Sequence, residues 1–181
     1  MTYQIIYADP PWKFNRKKTG GKNNSGAQDK YPVMSIDDMC KMDVASLCAP
    51  DCALLMWYVS SQPDEALRLA RAWGFTVKTM NAFVWVKKTV KGKPFFGMGN
   101  WTRAGSESML LAVRGKPKVV SKSVRAVASH KILRHSEKPA VFRERIVELF
   151  GDVPRLEMFA RCAPEGWDVF GNEVANGIKI D

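Results

Sequence analysis

The stretch that most limits the fold is CALLMWYV, residues 52–59. Eight nearly uninterrupted apolar residues are too few to cross a membrane and too continuous for a strand with one wet face. Such a run suits the middle of a sheet covered by helices on both sides. Its neighbours agree. YQIIYA is a short β-rich run ending at Asp9. Between the two, SIDDMCKMDVASLC begins at Ser35, carries Asp38 at capping-box spacing and has apolar residues at 36, 39, 42 and 47, which predicts a helix. Downstream, Ser61 is expected to cap QPDEALRLARAW, whose Leu67, Ala70 and Trp73 share a face, with Gly74 as the stop.

FTVKTMNAFVWVK and SESMLLAVR are strand-like and follow each other with no helix between, predicting an antiparallel hairpin between about Phe75 and Arg114. KPAVFRERIVELF predicts a helix with Pro139 at its start and Gly151 after it. RLEMFA reads as a further strand, and GWDVFGNEV as a turn-rich tail with one more short strand. The alternation predicts an α/β fold: a mixed, mostly parallel sheet with helices on both faces and one antiparallel hairpin. With 181 residues, 46% of them apolar, and no linker-like segment, a single domain over residues 1–181 is expected.

Charge narrows the partner. The net charge is +10, and it is unevenly placed. Between Ala66 and Ser136 there are fifteen Lys and Arg residues against one acid, Glu107, which gives +14 for this half and −4 for the rest. A solvated surface mixes its signs, so a long stretch almost free of acids points to a polyanion, with nucleic acid favoured. The four cysteines, at 40, 48, 52 and 162, and the two histidines, His130 and His135, match no zinc spacing, so no metal is expected. No signal-peptide pattern opens the chain, and a cytoplasmic protein is expected.

Several chemistries are excluded by missing motifs. There is no G-x-G-x-x-G after a strand, no G-x-x-x-x-G-K-[ST] and no G-x-S-x-G. What does stand at a strand end is DPPW, residues 9–12. Asp9 offers a carboxylate acceptor, and Pro10 and Pro11 have fixed φ and no N–H, so the Pro10 carbonyl is expected to be rigid and unpaired by the sheet. Trp12 adds a flat ring. Two acceptors beside a stacking surface suit the exocyclic amine of a planar base, whose two N–H groups need two acceptors. Holding both hydrogens frees the nitrogen lone pair to attack an electrophile without a prior general base. After the motif, KFNRKKTGGKNNSGAQDKY (13–31) reads as a long basic loop with almost no apolar residues.

DPPW resembles the catalytic motif of amino-directed S-adenosylmethionine methyltransferases. The wider pattern resembles the mRNA adenine N-6 methyltransferase family, with its bacterial, phage and ciliate relatives. YPVMSIDDM, FVWVKK, GNWTRAGSESMLLAVRGKP, HSEKPAVFRERIVELF, RLEMFAR and GWDVFGNEV follow in that family's order and cover nearly the whole chain. The resemblance implies a Rossmann-like methyltransferase fold with the cofactor-binding strand after the catalytic motif, a permuted order. It implies that Asp9 and Pro10 orient the target amine, with Pro11 completing the motif and Trp12 stacking nearby. It assigns S-adenosyl-L-methionine to Asp9 (amino group), Lys138 (methionine carboxylate), and Arg161, Asn172 and Glu173 (ribose and adenine edge), with Tyr31 at a gate. The loop CAPEG after Arg161 lacks the polar pair of some relatives, so cofactor contacts there are expected from the backbone.

The expected activity is therefore methyl transfer from S-adenosylmethionine to adenine N-6 in nucleic acid. DNA is favoured because so small a chain looks bacterial or phage-like. RNA, or an inactive methyltransferase-like binding subunit, are the alternatives, with a monomer or homodimer in either case. Loops at strand carboxyl ends share one mouth in an α/β sheet, so Lys13, Arg16, Lys17, Lys18, Lys22, Lys87, Lys88, Lys91, Lys93 and Arg103 are the candidate nucleic-acid contacts. With few rigid aromatic platforms expected there, affinity should come from phosphates. Lys116, Lys118 and Lys122 are a second basic cluster that could lie on another face.

Overall fold

The computed structural model describes residues 2–13, 33–97, 101–134 and 137–180. The order is β1 (Tyr3–Ala8), α1 (Ile36–Lys41), β2 (Cys48–Tyr58), α2 (Pro63–Ala72), β3 (Thr76–Lys88), β4 (Ser106–Arg114), β5 (Val127–Lys131), α3 (Val141–Phe150), β6 (Arg155–Met158) and β7 (Asp168–Phe170). A 3-10 turn at Ala45–Leu47 leads into β2.

Local chemistry explains where these bounds depart from the sequence pattern. Ser35 caps α1 as expected, its hydroxyl accepting the Asp38 N–H at 3.1 Å. The helix stops at Lys41 instead of running to 47, because Met42 turns extended and Asp43 accepts the Ser46 N–H at 3.2 Å, starting a separate turn. Ser61 does not cap α2. The helix begins at Pro63, which needs no N–H partner at that position, and Gln62 precedes it without a side-chain cap. The buried stripe of α2 is Ala66, Leu69 and Ala70, joined by Trp73, so Leu69 takes the place expected of Leu67. Gly74 ends the helix at φ +84°. One strand escaped the sequence reading. β5, VASHK, buries only Ala128, so it carries no apolar alternation to detect.

Among the described residues, seven strands are ordered β5-β3-β4-β2-β1-β6-β7. β1 pairs parallel with β2 and β6, β6 with β7, and β3 with β5. β4 alone runs the other way, antiparallel to both β2 and β3, which realises the expected hairpin. Helices cover both faces. Met39 of α1 and the α2 stripe pack with Ile6, Ala8, Leu54 and Met56. Phe142, Ile146 and Phe150 of α3 pack with Ile5, Tyr7, Leu55 and Trp57 on the other side. The continuous run in β2 is therefore continuous because alternate residues serve two cores. This is the mixed, doubly covered sheet that the resemblance implied.

The topology fixes where a site can be. Six strands end at one edge of the sheet, and β4 begins there. From β1 the chain leaves toward β2, whereas β6 and β7 build out on the other side. The edge beyond β1 and β6 is thus a topological switch point, where open α/β sheets bind ligands. Asp9 follows β1, and Arg161 follows β6.

Candidate active site

The turn after β1 sets the first residues of the site. The Pro10 carbonyl accepts the Trp12 N–H at 2.9 Å, closing a three-residue turn around Pro11, whose fixed φ suits it. The Pro10 carbonyl is thus unpaired by the sheet, as expected, but the turn takes one of its two lone pairs. The Pro11 carbonyl accepts the Met34 N–H at 3.0 Å, tying the motif to the residues before α1. Trp12 is the larger correction. Its ring is 5% exposed within the α1–α2 core, and its indole N–H donates to the Trp57 carbonyl at 3.2 Å. A ring with both faces packed cannot also be an open stacking surface, so in this arrangement Trp12 anchors the turn.

Asp9 and Lys138 meet directly. The Lys138 ammonium donates to Asp9 Oδ2 at 2.7 Å and lies 3.3 Å from Glu107 Oε2. Glu107, the second residue of β4 at the same edge, also pairs with Lys87 at 2.5 Å. Asp9, Lys138, Glu107 and Lys87 thus form a chain of alternating charge along the carboxyl edge of the sheet. The resemblance assigned Lys138 to a carboxylate of the cofactor. The structure supplies two from the chain itself. Lys138 is 8% exposed and stands three residues before α3, with its ammonium 5.5 Å from the Trp57 ring centroid. Trp57 in turn donates its indole N–H to the Tyr7 hydroxyl at 2.7 Å.

Burial pushes the Asp9 carboxyl above the usual carboxylate range, against the pull of Lys138. For Glu107 burial acts in the same direction, but Lys138 and Lys87 on either side outweigh it and hold the carboxyl low. Burial opposes the charge on Lys138, and the two carboxylates more than restore it, keeping the ammonium protonated. One carboxyl of the chain is therefore easily protonated and the other firmly ionised.

The cofactor candidates on the far side also converge. After β6 the chain turns sharply at Phe159, whose φ of 59° lies in the left-handed region and costs about 1–2 kcal/mol for a non-glycine residue. Its ring stacks on Trp73, with centroids 6.4 Å apart, which offsets part of that strain. Arg161, two residues on, lies close enough to lower the Asp9 carboxyl. Arg161 also pairs with Glu173 at 3.6 Å. Gly171 makes this possible, because a Cβ there would collide with the Ala160 backbone. Asn172, adjacent and exposed, shares this rim. Tyr31 lies outside the described residues, as do Arg16, Lys17, Lys18 and Lys22.

The basic candidates divide. Lys13 is exposed beside the motif, its carbonyl accepting from Gln62 at 3.1 Å. Lys87 turns inward to Glu107 and over the Trp85 ring at 5.0 Å, so its charge is already met in part within the chain. Lys88 is partly exposed, and Lys91, Lys93 and Arg103 are exposed on the excursion between β3 and β4. The same excursion displays Phe96 at 77% and Trp101 at 100% exposure, aromatic surface that the sequence reading did not expect there. Lys116 follows β4 at the opposite edge, its N–H on Asp51 at 2.7 Å, so that cluster faces away from Asp9.

With this geometry in place, comparison with known proteins is decisive. The sequence matches the MT-A70 family over residues 3–173. The chain belongs to the MT-A70 family. It is 33% identical to the Type II methyltransferase M.MunI of Mycoplasma sp over 98% of this chain and 81% of that one. It is 26% identical to the human N(6)-adenine-specific methyltransferase METTL4 over 99% of this chain, and 21% identical to the human N(6)-adenosine-methyltransferase catalytic subunit METTL3 over 98%. The chain spans 39% and 29% of those two human proteins.

Against this MT-A70 core, Glu107 is the site residue that sequence reasoning missed. The signal was present: it is the lone acid among fifteen cations from residue 66 to 136. Arg143 and Glu157 were missed too. They form a two-bond pair at 2.6 and 2.7 Å under the Tyr7 ring, one strand away from Asp9. No local motif links two residues on different elements.

Proposed function

We propose that this chain methylates the N-6 amine of adenine in DNA, using S-adenosylmethionine and the Asp9–Lys138 site. The reaction class follows from the family: the chain is an adenine N-6 methyltransferase. The observation that carries the reading of the site is the buried Lys138 ammonium held between Asp9 and Glu107 at the switch point of the sheet. The donor set fits the cofactor. Lys138 suits its carboxylate, Asp9 its ammonium, and Arg161, Asn172 and Glu173 the polar edges of its nucleoside. When bound, S-adenosylmethionine supplies an electrophilic methyl group on a cationic sulfur.

The chain's own groups do the rest. Lys138 keeps Glu107 while releasing Asp9 Oδ2, so that one cation serves an incoming carboxylate without ever losing its charge. Asp9 and the second lone pair of the Pro10 carbonyl then accept the two N–H groups of the target amine. That orientation takes the nitrogen lone pair out of conjugation and leaves it free. Methyl transfer makes the nitrogen more acidic, and Asp9, with its raised proton affinity, is placed to take the released proton.

DNA over RNA is supported by the likeness to M.MunI, which extends over 81% of that protein, against the smaller share of METTL3. Incubation with labelled cofactor and DNA, RNA or free nucleoside, followed by digestion to nucleosides, tests this. Label in N-6-methyldeoxyadenosine is expected, and label confined to RNA or to free nucleoside overturns the DNA reading. The charge has its own test. Neutralising Lys88, Lys91 and Lys93 should lower the log–log salt slope of DNA binding by about one unit per lost contact. Neutralising Lys116, Lys118 and Lys122 at the opposite edge should leave it unchanged.

A further inference from the structure

We propose that Phe96 and Trp101 form a stacking platform for unpaired nucleobases beside the target adenine, an inference that rests on the nucleic-acid reading above. The exposure of these rings is the starting point. The chain has six tryptophans, and the other five are at most 9% exposed, whereas Trp101 is 100% exposed and Phe96 is 77% exposed. Large aromatic rings bring the most stability when buried, so two on one short excursion call for an occupant.

The surroundings say which kind. Residues 89–105 contain Lys91, Lys93 and Arg103 and no acid. The Arg103 guanidinium lies 5.5 Å from the Phe96 ring centroid. An apolar protein partner would have to cover the exposed Lys91 and Lys93 and strip their water. A nucleic-acid strand presents both a phosphate for each cation and a π-face for each ring. A cation beside an open aromatic is also the arrangement in which stacking and phosphate attraction act together.

The two described limbs of the excursion are tied to each other next to these rings. The Lys87 N–H donates to the Gly105 carbonyl at 2.8 Å, the Phe95 N–H to the Lys87 carbonyl at 3.1 Å, and the Gly97 N–H to the Ala104 carbonyl at 3.0 Å. A Cβ at Gly97 would collide with that same Ala104 carbonyl, so the two limbs close on each other only with glycine. Its base is the Lys87–Glu107 pair, the outer end of the ion-pair chain that leads to Asp9. An adenine drawn out of a helix to Asp9 leaves its neighbours unstacked at this rim, and the rings replace their lost partner.

Because Trp101 is the one tryptophan open to solvent, its fluorescence reports the contact. In the intact protein, acrylamide should quench part of the emission, and a single-stranded oligonucleotide containing adenine should protect that part. An abasic strand of equal length should bind more weakly and protect little. Trp101→Ala should weaken binding of the base-bearing strand about 5- to 100-fold with little change for the abasic strand, and Trp101→Phe should restore most of it. If labelled oligonucleotide binds by anisotropy but protection and affinity are the same for both strands, the platform is refuted while the nucleic-acid reading stands. If neither strand binds, both fall. Protection that grows with protein concentration alone would assign the rings to a contact between copies and overturn the proposal.

Discussion

Two buried charge networks lie one strand apart, and they are built differently. Arg143 and Glu157 form a closed pair: two short hydrogen bonds, the carboxylate on β6 and the guanidinium over the Tyr7 ring. Asp9, Lys138, Glu107 and Lys87 form an open chain, in which each inner group divides itself between two partners. Both are desolvated, and desolvation alone favours neutrality in each. The closed pair offsets that cost within itself and has nothing to exchange. The open chain can give up one contact and keep another. The first arrangement holds a structure, and the second can receive a ligand.

The contrast breaks first at Asp9. Asp9→Asn keeps the shape but turns a donor toward the target N–H groups, so methyl transfer should fall by three or more orders of magnitude, about 4 kcal/mol in kcat/KM. Thermal unfolding should shift little, since burial already disfavours the Asp9 charge. A variant within a few-fold of wild type would remove Asp9 from the chemistry. At Arg143 the expectation reverses. Arg143→Ala strands a buried carboxylate and should cost about 3–5 kcal/mol of stability by denaturant unfolding. Per folded molecule, cofactor affinity should hold. If affinity falls as far as stability, the closed pair is part of the site.

Lys138→Ala lies between these. Loss of its charge-assisted bond should weaken S-adenosylmethionine binding by about 1.5–3 kcal/mol in calorimetric titration. Stability should fall too, by about 1 kcal/mol, because Lys138 is buried between two carboxylates that keep some solvent contact. Unchanged affinity would place the carboxylate elsewhere. The smallest effect is a displacement in pH. Asp9 binds its proton more readily than an ordinary aspartate, so activity should fall, as pH descends, above the usual carboxylate range. A raised pKa also means that the folded state takes up this proton before the unfolded state, so Asp9 makes stability rise through the same window. Activity and stability should therefore part company on mild acidification. Parallel loss of both would show that Asp9 does not govern the limb.

Much of the fold was legible because its signals are local. The apolar run of β2, the Ser35 cap and the Gly74 stop each depend on a few neighbouring residues. The Asp9 turn was legible for the same reason, and so was the pairing of β3 with β4. β5 was not, since an edge strand burying Ala128 alone has no pattern to show. Within the site, Asp9 and Lys138 were each found, but not their contact. That contact joins the end of β1 to the approach to α3, 129 residues apart, and only the sheet order sets it. Trp12 was misjudged in the opposite sense. Sequence shows that a ring is present, whereas its exposure depends on what packs over it, here the α1–α2 core.

The reversed direction of β4 has an evolutionary consequence. Since β3 ends and β4 begins at the edge that carries Asp9, the excursion joining them leaves and re-enters the sheet beside the chemistry. Its two ends are pinned by the Lys87–Gly105 backbone bond and the Lys87–Glu107 pair. Everything beyond those pins can be lengthened, shortened or exchanged at the modest entropic cost of a longer loop. The excursion is thus a cassette: a place where one catalytic framework can acquire a new target preference while Asp9, Lys138 and Glu107 stay where they are.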